Sequence, residues 1–340
     1  MTLNNVFNLD TIGLLLKDGY FKSVFGFTMF SFLPAPLLFL INIILISLNT
    51  ILVATPIMLL ALLKLIVPIS FIKNLVDNLN QSLFTIWVYV NSFLISLTNN
   101  IKWDIENLDI KKVDKSCLII SNHISWADIV LICHIFKGNI PVTKFFLKHS
   151  LIYIPFIGLA CWGLGMPFLR RYSKKELLKN PKLVTKDIDT TKKVCKDLMK
   201  GKTTLVNFCE GTRYTKEKAL KANSKFKHLM PPKAASIAVL LGTIGYDLQK
   251  AFNTTLYYPD NEGSAFKDML FGRLKRVYVD VKVLKIDESM VGDYINDKKF
   301  KFDFTAKLKD IWQEKDEKLH AYLLRINKIS DTKTDNLNKD

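Results

Sequence analysis

The apolar positions of this chain are unevenly distributed. Val24 to Leu63 contains no charged residue, a run about twice the roughly 20 apolar residues that cross a bilayer. A secretory signal has a shorter apolar region and a small-residue cleavage site. Asp10 and Lys17 precede this run without that pattern. Pro34, Pro36, Asn42, Asn49, Thr50 and Pro56 interrupt it, and predict two helical segments with a break near Ser47 to Thr50. Lys17 and Lys22 before the run and Lys64 and Lys73 after it put basic residues on both flanks, which favours both ends on the cytoplasmic side. Residues 1–80 are therefore read as a membrane segment, a helical hairpin that spans or re-enters one leaflet. A single tilted span and a buried soluble hairpin are the alternatives. Residues 81–98 are apolar again, with Trp87 and Tyr89 among irregularly spaced polar positions, as in an interfacial helix or a core helix.

Beyond Asn100 charges are spread throughout, and short apolar runs alternate with helical periodicity. Lys115–Ser121 predicts a buried strand. Residues Lys186–Lys200 place Ile188, Val194, Cys195, Leu198 and Met199 near one helical face, with Gly201 as the stop. Thr203–Phe208 and Ala251–Tyr258 predict further strands. Val277, Val279, Val281 and Val283 alternate with Tyr278, Asp280 and Lys282, the pattern of a half-buried strand. Phe304–Leu324 predicts a charged helix. This alternation indicates an α/β domain over residues 81–328, and residues 329–340 read as a polar, disordered tail.

Composition narrows the partners. The chain has 340 residues, 49% of them hydrophobic, and its mean hydropathy is +0.16, which excludes an intrinsically disordered protein. There are 48 basic and 31 acidic residues, a net charge of +17, which suits an anionic partner such as a phosphorylated substrate, an anionic lipid surface or nucleic acid. No nucleic-acid recognition motif accompanies the charge, so a nucleic-acid partner is not expected. Lys144, Lys148, Arg170, Arg171, Lys174 and Lys175 form a basic stretch that suits lipid or phosphate, or simply a solvated face. The five cysteines, Cys117, Cys133, Cys161, Cys195 and Cys209, form no CxxC pair and indicate neither a disulfide framework nor a zinc ribbon. His134, His149, His228 and His320 show no ligand spacing, and no metal is expected.

Two short segments carry chemistry. In Ser121–Asp128 (SNHISWAD) a strand enters a polar turn with His123, and Asp128 follows five residues later. On one helix that spacing turns the side chains apart. They meet only if His123 lies in the loop and Asp128 on the first turn of the following helix. The carboxylate then fixes the imidazole tautomer and leaves the other ring nitrogen free to act as a general base. A capping turn with an incidental histidine has the same spacing. In Asn207–Arg213 (NFCEGTR) a strand ends in a turn holding a hydroxyl and a guanidinium, which suits phosphate binding. An ordinary surface turn with a salt bridge is the alternative.

Taken together, the two blocks resemble the glycerolipid acyltransferase family, which includes 1-acylglycerol-3-phosphate acyltransferases and other lysophospholipid acyltransferases. Pro155, Gly158 and Met166–Arg171 (MPFLRR) look like the family's second block, and Pro231, Pro232 and Lys233 like its fourth. Thr255–Pro259 (TLYYP) and Trp312 with Lys315 and Asp316 are similar to segments of the lysocardiolipin-type subgroup. Cys209 stands where the family usually has proline, and Ser236 where the subgroup often has glycine. The resemblance spans roughly residues 80–325. It implies a mixed-sheet α/β acyltransferase domain with helices on the sheet, facing the cytoplasm from the membrane, the inner membrane in a bacterium. It implies transfer of a fatty acyl group from acyl-CoA or acyl carrier protein to lysophosphatidic acid, with other lysophospholipids such as lysophosphatidylglycerol or lysocardiolipin as alternative acceptors. No cofactor is expected beyond the acyl donor. By the same resemblance His123 and Asp128 are the catalytic pair, without an acyl-enzyme, and Glu210, Gly211, Thr212, Arg213, Arg170 and Arg171 hold the phosphate. A non-catalytic protein that binds anionic lipid is the rival reading.

Overall fold

A computed structural model describes residues 30, 32–67, 69–108, 110–169 and 182–337. The apolar run forms one helix, α1 (Ala35–Ile66), which continues without interruption through positions 47–50. The predicted break is absent because the polar residues there find partners. Thr50 Oγ1 donates to the Ile46 carbonyl at 2.7 Å, one turn back in the same helix, and accepts Trp87 Nε1–H at 3.1 Å. Asn49 Nδ2 donates to the Trp87 carbonyl at 3.3 Å, and Asn42 Nδ2 to the Leu270 carbonyl at 2.8 Å. Asn42, Asn49 and Thr50, which read as breakers, are thus cross-links between α1 and the chain packed on it. The hairpin closes later, around Val67–Ile69, and its second arm is α2 (Ser70–Thr98), which runs across position 80. Lys64 and Asp77 form an ion pair between the two arms.

The core element is a six-stranded sheet in the order β1-β8-β7-β2-β6-β3. Its strands are β1 (Lys102–Leu108), β2 (Cys117–Ser121), β3 (Thr143–Phe145), β6 (Thr204–Phe208), β7 (Lys250–Tyr257) and β8 (Arg276–Leu284). All neighbours are parallel except β7 and β8. A small parallel pair, β4 (Leu147–Lys148) and β5 (Phe168–Leu169), stands apart. The helices between strands are α3 (Ala127–Phe136), α4 (Ile157–Gly163), α5 (Lys182–Met199), α6 (Lys216–Lys221), α7 (Ala234–Ile244) and α8 (Ala265–Leu270), and α9 (Lys298–Leu337) follows β8.

Every residue of β2 is buried, as expected where helices cover both faces of a parallel sheet. Its period-two alternation divides it between two cores. Cys117 and Ile119 join the layer of α1, α2, α3 and α8, and Leu118 and Ile120 join the layer of α5, α7 and α9. The same covering overturns the expectation of a half-buried β8. Tyr278 and Asp280 are buried, because α9 lies over them. The Tyr278 ring is 4.4 Å from Tyr322 of α9, and its hydroxyl donates to Glu106 at 2.7 Å. Asp280 accepts Asn107 Nδ2–H at 2.7 Å. α9 continues to Leu337, into the segment that polarity assigned to a disordered tail. It is not simply a charged surface helix, since Phe304, Leu308, Trp312 and Leu319 are fully buried in the second core.

Candidate functional site

Sheet topology brings the two polar blocks together. β2 and β6 are parallel neighbours in a register that pairs Ser121 with Phe208, so the turns that follow them emerge side by side. β7 flanks β2 on its other edge, with Thr254 beside Ser121. The segment after β7 therefore arrives at the same edge, the carboxyl ends of three parallel strands, where sites of open α/β sheets form.

His123 lies in the loop after β2, and Asp128 in the first turn of α3. His123 Nδ1 is 2.7 Å from Asp128 Oδ2. The same oxygen accepts the Ile124 N–H at 2.7 Å and the Ser125 N–H at 3.0 Å. Asp128 is fully buried, and the acidic side chain also sits favourably at a helix N-terminus. The imidazole lies against the Phe208 ring, with centroids 4.1 Å apart. With Nδ1 engaged by the carboxylate, Nε2 is the nitrogen free to accept a proton.

Glu210, one of the residues expected to hold the phosphate, has both carboxyl oxygens on protein donors. It is fully buried. Oε2 accepts the His123 N–H at 3.0 Å, and Oε1 accepts the Met230 N–H at 3.2 Å and Trp312 Nε1–H at 3.3 Å. The carboxylate is occupied in holding the histidine turn. Burial pushes it up to about 8, against the pull of those three donors and of Lys315. Lys315 is itself buried under the site, donating to the Thr254 carbonyl at 2.7 Å with Nζ 4.4 Å from the centre of the Trp312 ring. Burial lowers it to about 8. Asp316 accepts the Lys227 and His228 N–H groups at 2.7 and 2.8 Å. Three neighbouring residues of α9 thus hold the site from below, Trp312 and Asp316 on the loops that follow β6 and Lys315 on β7. Their spacing (i, i+3, i+4) marks one helix face, but nothing local says what that face meets.

Gly211, Thr212 and Arg213 form the turn beyond Glu210. Gly211 has φ +65°, a backbone conformation that favours glycine, and the Lys233 side chain lies 3.2 Å from where a Cβ would stand. The Arg213 guanidinium stacks 4.5 Å over Trp126. Two cations that the sequence did not single out for this turn join it. Lys218 Nζ donates to Thr212 Oγ1 at 3.1 Å and to the Arg213 carbonyl at 3.0 Å, and Lys233 passes over Gly211. Lys144, on β3, has Nζ 3.4 Å from where a Cβ of Gly165 would lie, and burial lowers its pKa. Arg170 and Arg171, with Lys174 and Lys175, lie outside the described residues. Cys209, beside Glu210, is buried, and burial pushes its thiol up to about 12, which makes it inert as a nucleophile. Among the described residues no three His, Cys, Asp or Glu side chains are grouped to hold a metal ion.

A cavity of about 380 Å³ adjoins the histidine loop, lined by Ile124, Tyr214, Tyr257, Tyr258 and Glu262 among others. A proton acceptor on a fixed imidazole, a cationic turn next to it and an adjoining cavity can together deprotonate a hydroxyl on a phosphorylated molecule.

Residues 102–244 match the family model described as Acyltransferase. The matched segment runs from β1 through α7 and contains both polar turns. No curated protein matches the chain. Among solved structures, it is similar to the crystal structure of the 1-acyl-sn-glycerophosphate (LPA) acyltransferase PlsC from Thermotoga maritima, at 13% identity and a TM-score of 0.42, over 80% of this chain and 95% of that one.

Proposed function

We propose that this protein is a membrane-associated acyltransferase that moves a fatty acyl group from a thioester to the free hydroxyl of a lysophospholipid, with lysophosphatidic acid as the acceptor. The observation that carries the reading is the His123–Asp128 pair, 2.7 Å apart, at the strand ends beside a turn that bears Arg213 and is approached by Lys218 and Lys233, within a segment that matches the acyltransferase family. A hydroxyl is a weak nucleophile at neutral pH. His123 Nε2 takes its proton as the oxygen attacks the thioester carbonyl, and Asp128 stabilises the imidazolium that forms. The tetrahedral adduct collapses with cleavage of the C–S bond, and the departing thiolate takes the proton back from His123. No acyl-enzyme is required. A terminal phosphate monoester concentrates negative charge, which suits three cations gathered around one turn, and this favours lysophosphatidic acid over acceptors whose phosphate is a diester.

The lipid substrate accords with the surface of the hairpin. α1 is long and apolar enough to cross a bilayer, and Leu40, Ile44, Leu52, Leu59, Leu62 and Ile66 of α1 are exposed. Tyr153, Phe156, Ile157 and Leu159, in and just before α4, are exposed as well, and α4 packs closely on α1, where Gly163 leaves no room for a Cβ beside Ala61. Exposed apolar residues on two helices that pack together suit association with a membrane.

The test is an assay of the purified full-length chain with a panel of lysophospholipids and labelled acyl-CoA or acyl carrier protein. Transfer should be strongest with lysophosphatidic acid. His123→Ala should lose about 10²- to 10⁴-fold in rate while remaining folded, since the side chain sits on a loop. Activity of His123→Ala within a few-fold of wild type would defeat the mechanism and leave a lipid-binding protein.

A further inference from the structure

Resting on that reading and going beyond it, we propose that Tyr258 is a positioning residue of the proton-transfer unit, its hydroxyl fixing one carboxylate oxygen of Asp128 so that the other is held on His123. The two oxygens of Asp128 have separate partners. Oδ2 serves His123 Nδ1 and the Ile124 and Ser125 amides, whereas Oδ1 accepts the Tyr258 O–H at 2.5 Å. The terminal torsion of an aspartate is broad and nearly two-fold, so donors on one oxygen alone leave the plane of the carboxylate loosely set. A short bond from the opposite side sets it.

The fold makes this contact deliberate in geometry. Tyr258 is the first residue beyond β7, which pairs with β2, so its side chain reaches Asp128 across the strand end from a position 130 residues away. Its ring is packed in the core of the α1–α3 layer and is 1% exposed. A buried phenol with only a packing role would satisfy its hydroxyl on any carbonyl, yet this one is spent on the carboxylate that orients the histidine. Burial and the charge of Asp128 hold the phenol well above its ordinary value, so Tyr258 keeps its proton and acts as donor throughout. By drawing charge from the carboxylate it also moderates the field that Asp128 exerts on the imidazole.

The experiment is the pH–rate profile of acyl transfer by full-length Tyr258→Phe, which retains the ring and removes the donor. We expect kcat to fall about 10-fold, the scale of a lost hydrogen bond to a charged group, with little change in the acceptor KM. Less charge withdrawn from Asp128 means a better stabilised imidazolium, so the acidic limb should move to higher pH. In an Asp128→Asn background, Tyr258→Phe should cost about two-fold or less, because both act through one unit. Site-specific replacement of Tyr258 by 3-fluorotyrosine, a stronger donor of nearly the same shape, should move the limb the other way, and it serves as the decisive variant if Tyr258→Phe fails to fold. An unchanged kcat with a superimposable profile, an unmoved limb with 3-fluorotyrosine, or fully multiplicative losses in the double variant would overturn the inference while leaving the acyltransferase reading intact. A wild-type chain without transfer activity would remove that reading and this inference with it.

Discussion

Glu210→Gln separates two roles for the same residue. As a phosphate ligand, Glu210 would affect acceptor binding. As the buried anchor of the histidine turn, it affects turnover. The structure sets the cost. Glutamine can keep its carbonyl oxygen at the Oε1 position, toward Met230 N–H and Trp312 Nε1–H, but its amide NH₂ then faces the His123 N–H that Oε2 accepts at 3.0 Å. The reverse orientation sets two donors against the NH₂. The better orientation therefore leaves one buried N–H unsatisfied, worth about 1–3 kcal/mol. If that energy is relieved by displacing the His123 turn, kcat falls roughly 5- to 150-fold, and the acceptor KM stays near wild type because Glu210 is fully buried. A thiol-release assay over a range of acceptor concentrations reads both constants. Glu210's pKa adds a stability signature. It is raised from 4.5 to about 8, so the folded state binds this proton more tightly than the unfolded state. Its contribution is fully present below about pH 4.5 and is lost as pH rises through about 8. Glu210→Gln should lack that decline in denaturant titrations. A raised KM with unchanged kcat would refute the anchoring argument and return Glu210 to the phosphate site.

Arg213→Ala and Lys218→Ala should each raise the acceptor KM more than they lower kcat, and for Arg213 a roughly 10- to 150-fold loss in kcat/KM is expected from one charge-assisted contact; a collapse of kcat at constant KM would move Arg213 into transition-state stabilisation. Cys209→Ala should retain transfer, because the mechanism proposed above uses no thiol. With the buried thiols Cys133, Cys195 and Cys209 all pushed up to about 12, the thiolate fraction at pH 8 is on the order of 10⁻⁴, so iodoacetamide should leave the folded protein active; rapid inactivation traced to Cys209 would contradict this. The protein should remain with membranes after an alkaline carbonate wash, and quantitative release would show that the exposed face of α1 is covered by protein rather than lipid.

Much of the sheet was legible from local pattern. The runs at 117–121, 204–208 and 250–257 are strands because each is short, apolar and bounded by polar turns, and the His-x4-Asp spacing allowed the two side chains to meet only with the histidine in a loop and the aspartate on a helix. These are local facts, set by side-chain periodicity and turn chemistry within a few residues. What local pattern missed was decided by contacts distant in sequence. The polar residues at 49 and 50 read as a helix break, and only the packing of α2 turned them into cross-links. Tyr278 and Asp280 read as solvent-facing until α9 covered them. Glu210 read as part of a phosphate turn, because nothing near it announces the His123 amide 87 positions earlier or the Trp312 indole 102 positions later. Tyr258 lay in a segment noted only for its resemblance, and its contact with Asp128 comes from the strand order that sets β7 beside β2. Sequence by itself determined which residue types stand at each strand end. The tertiary structure decided which of them meet, because a buried polar group must find its partner wherever the fold supplies one.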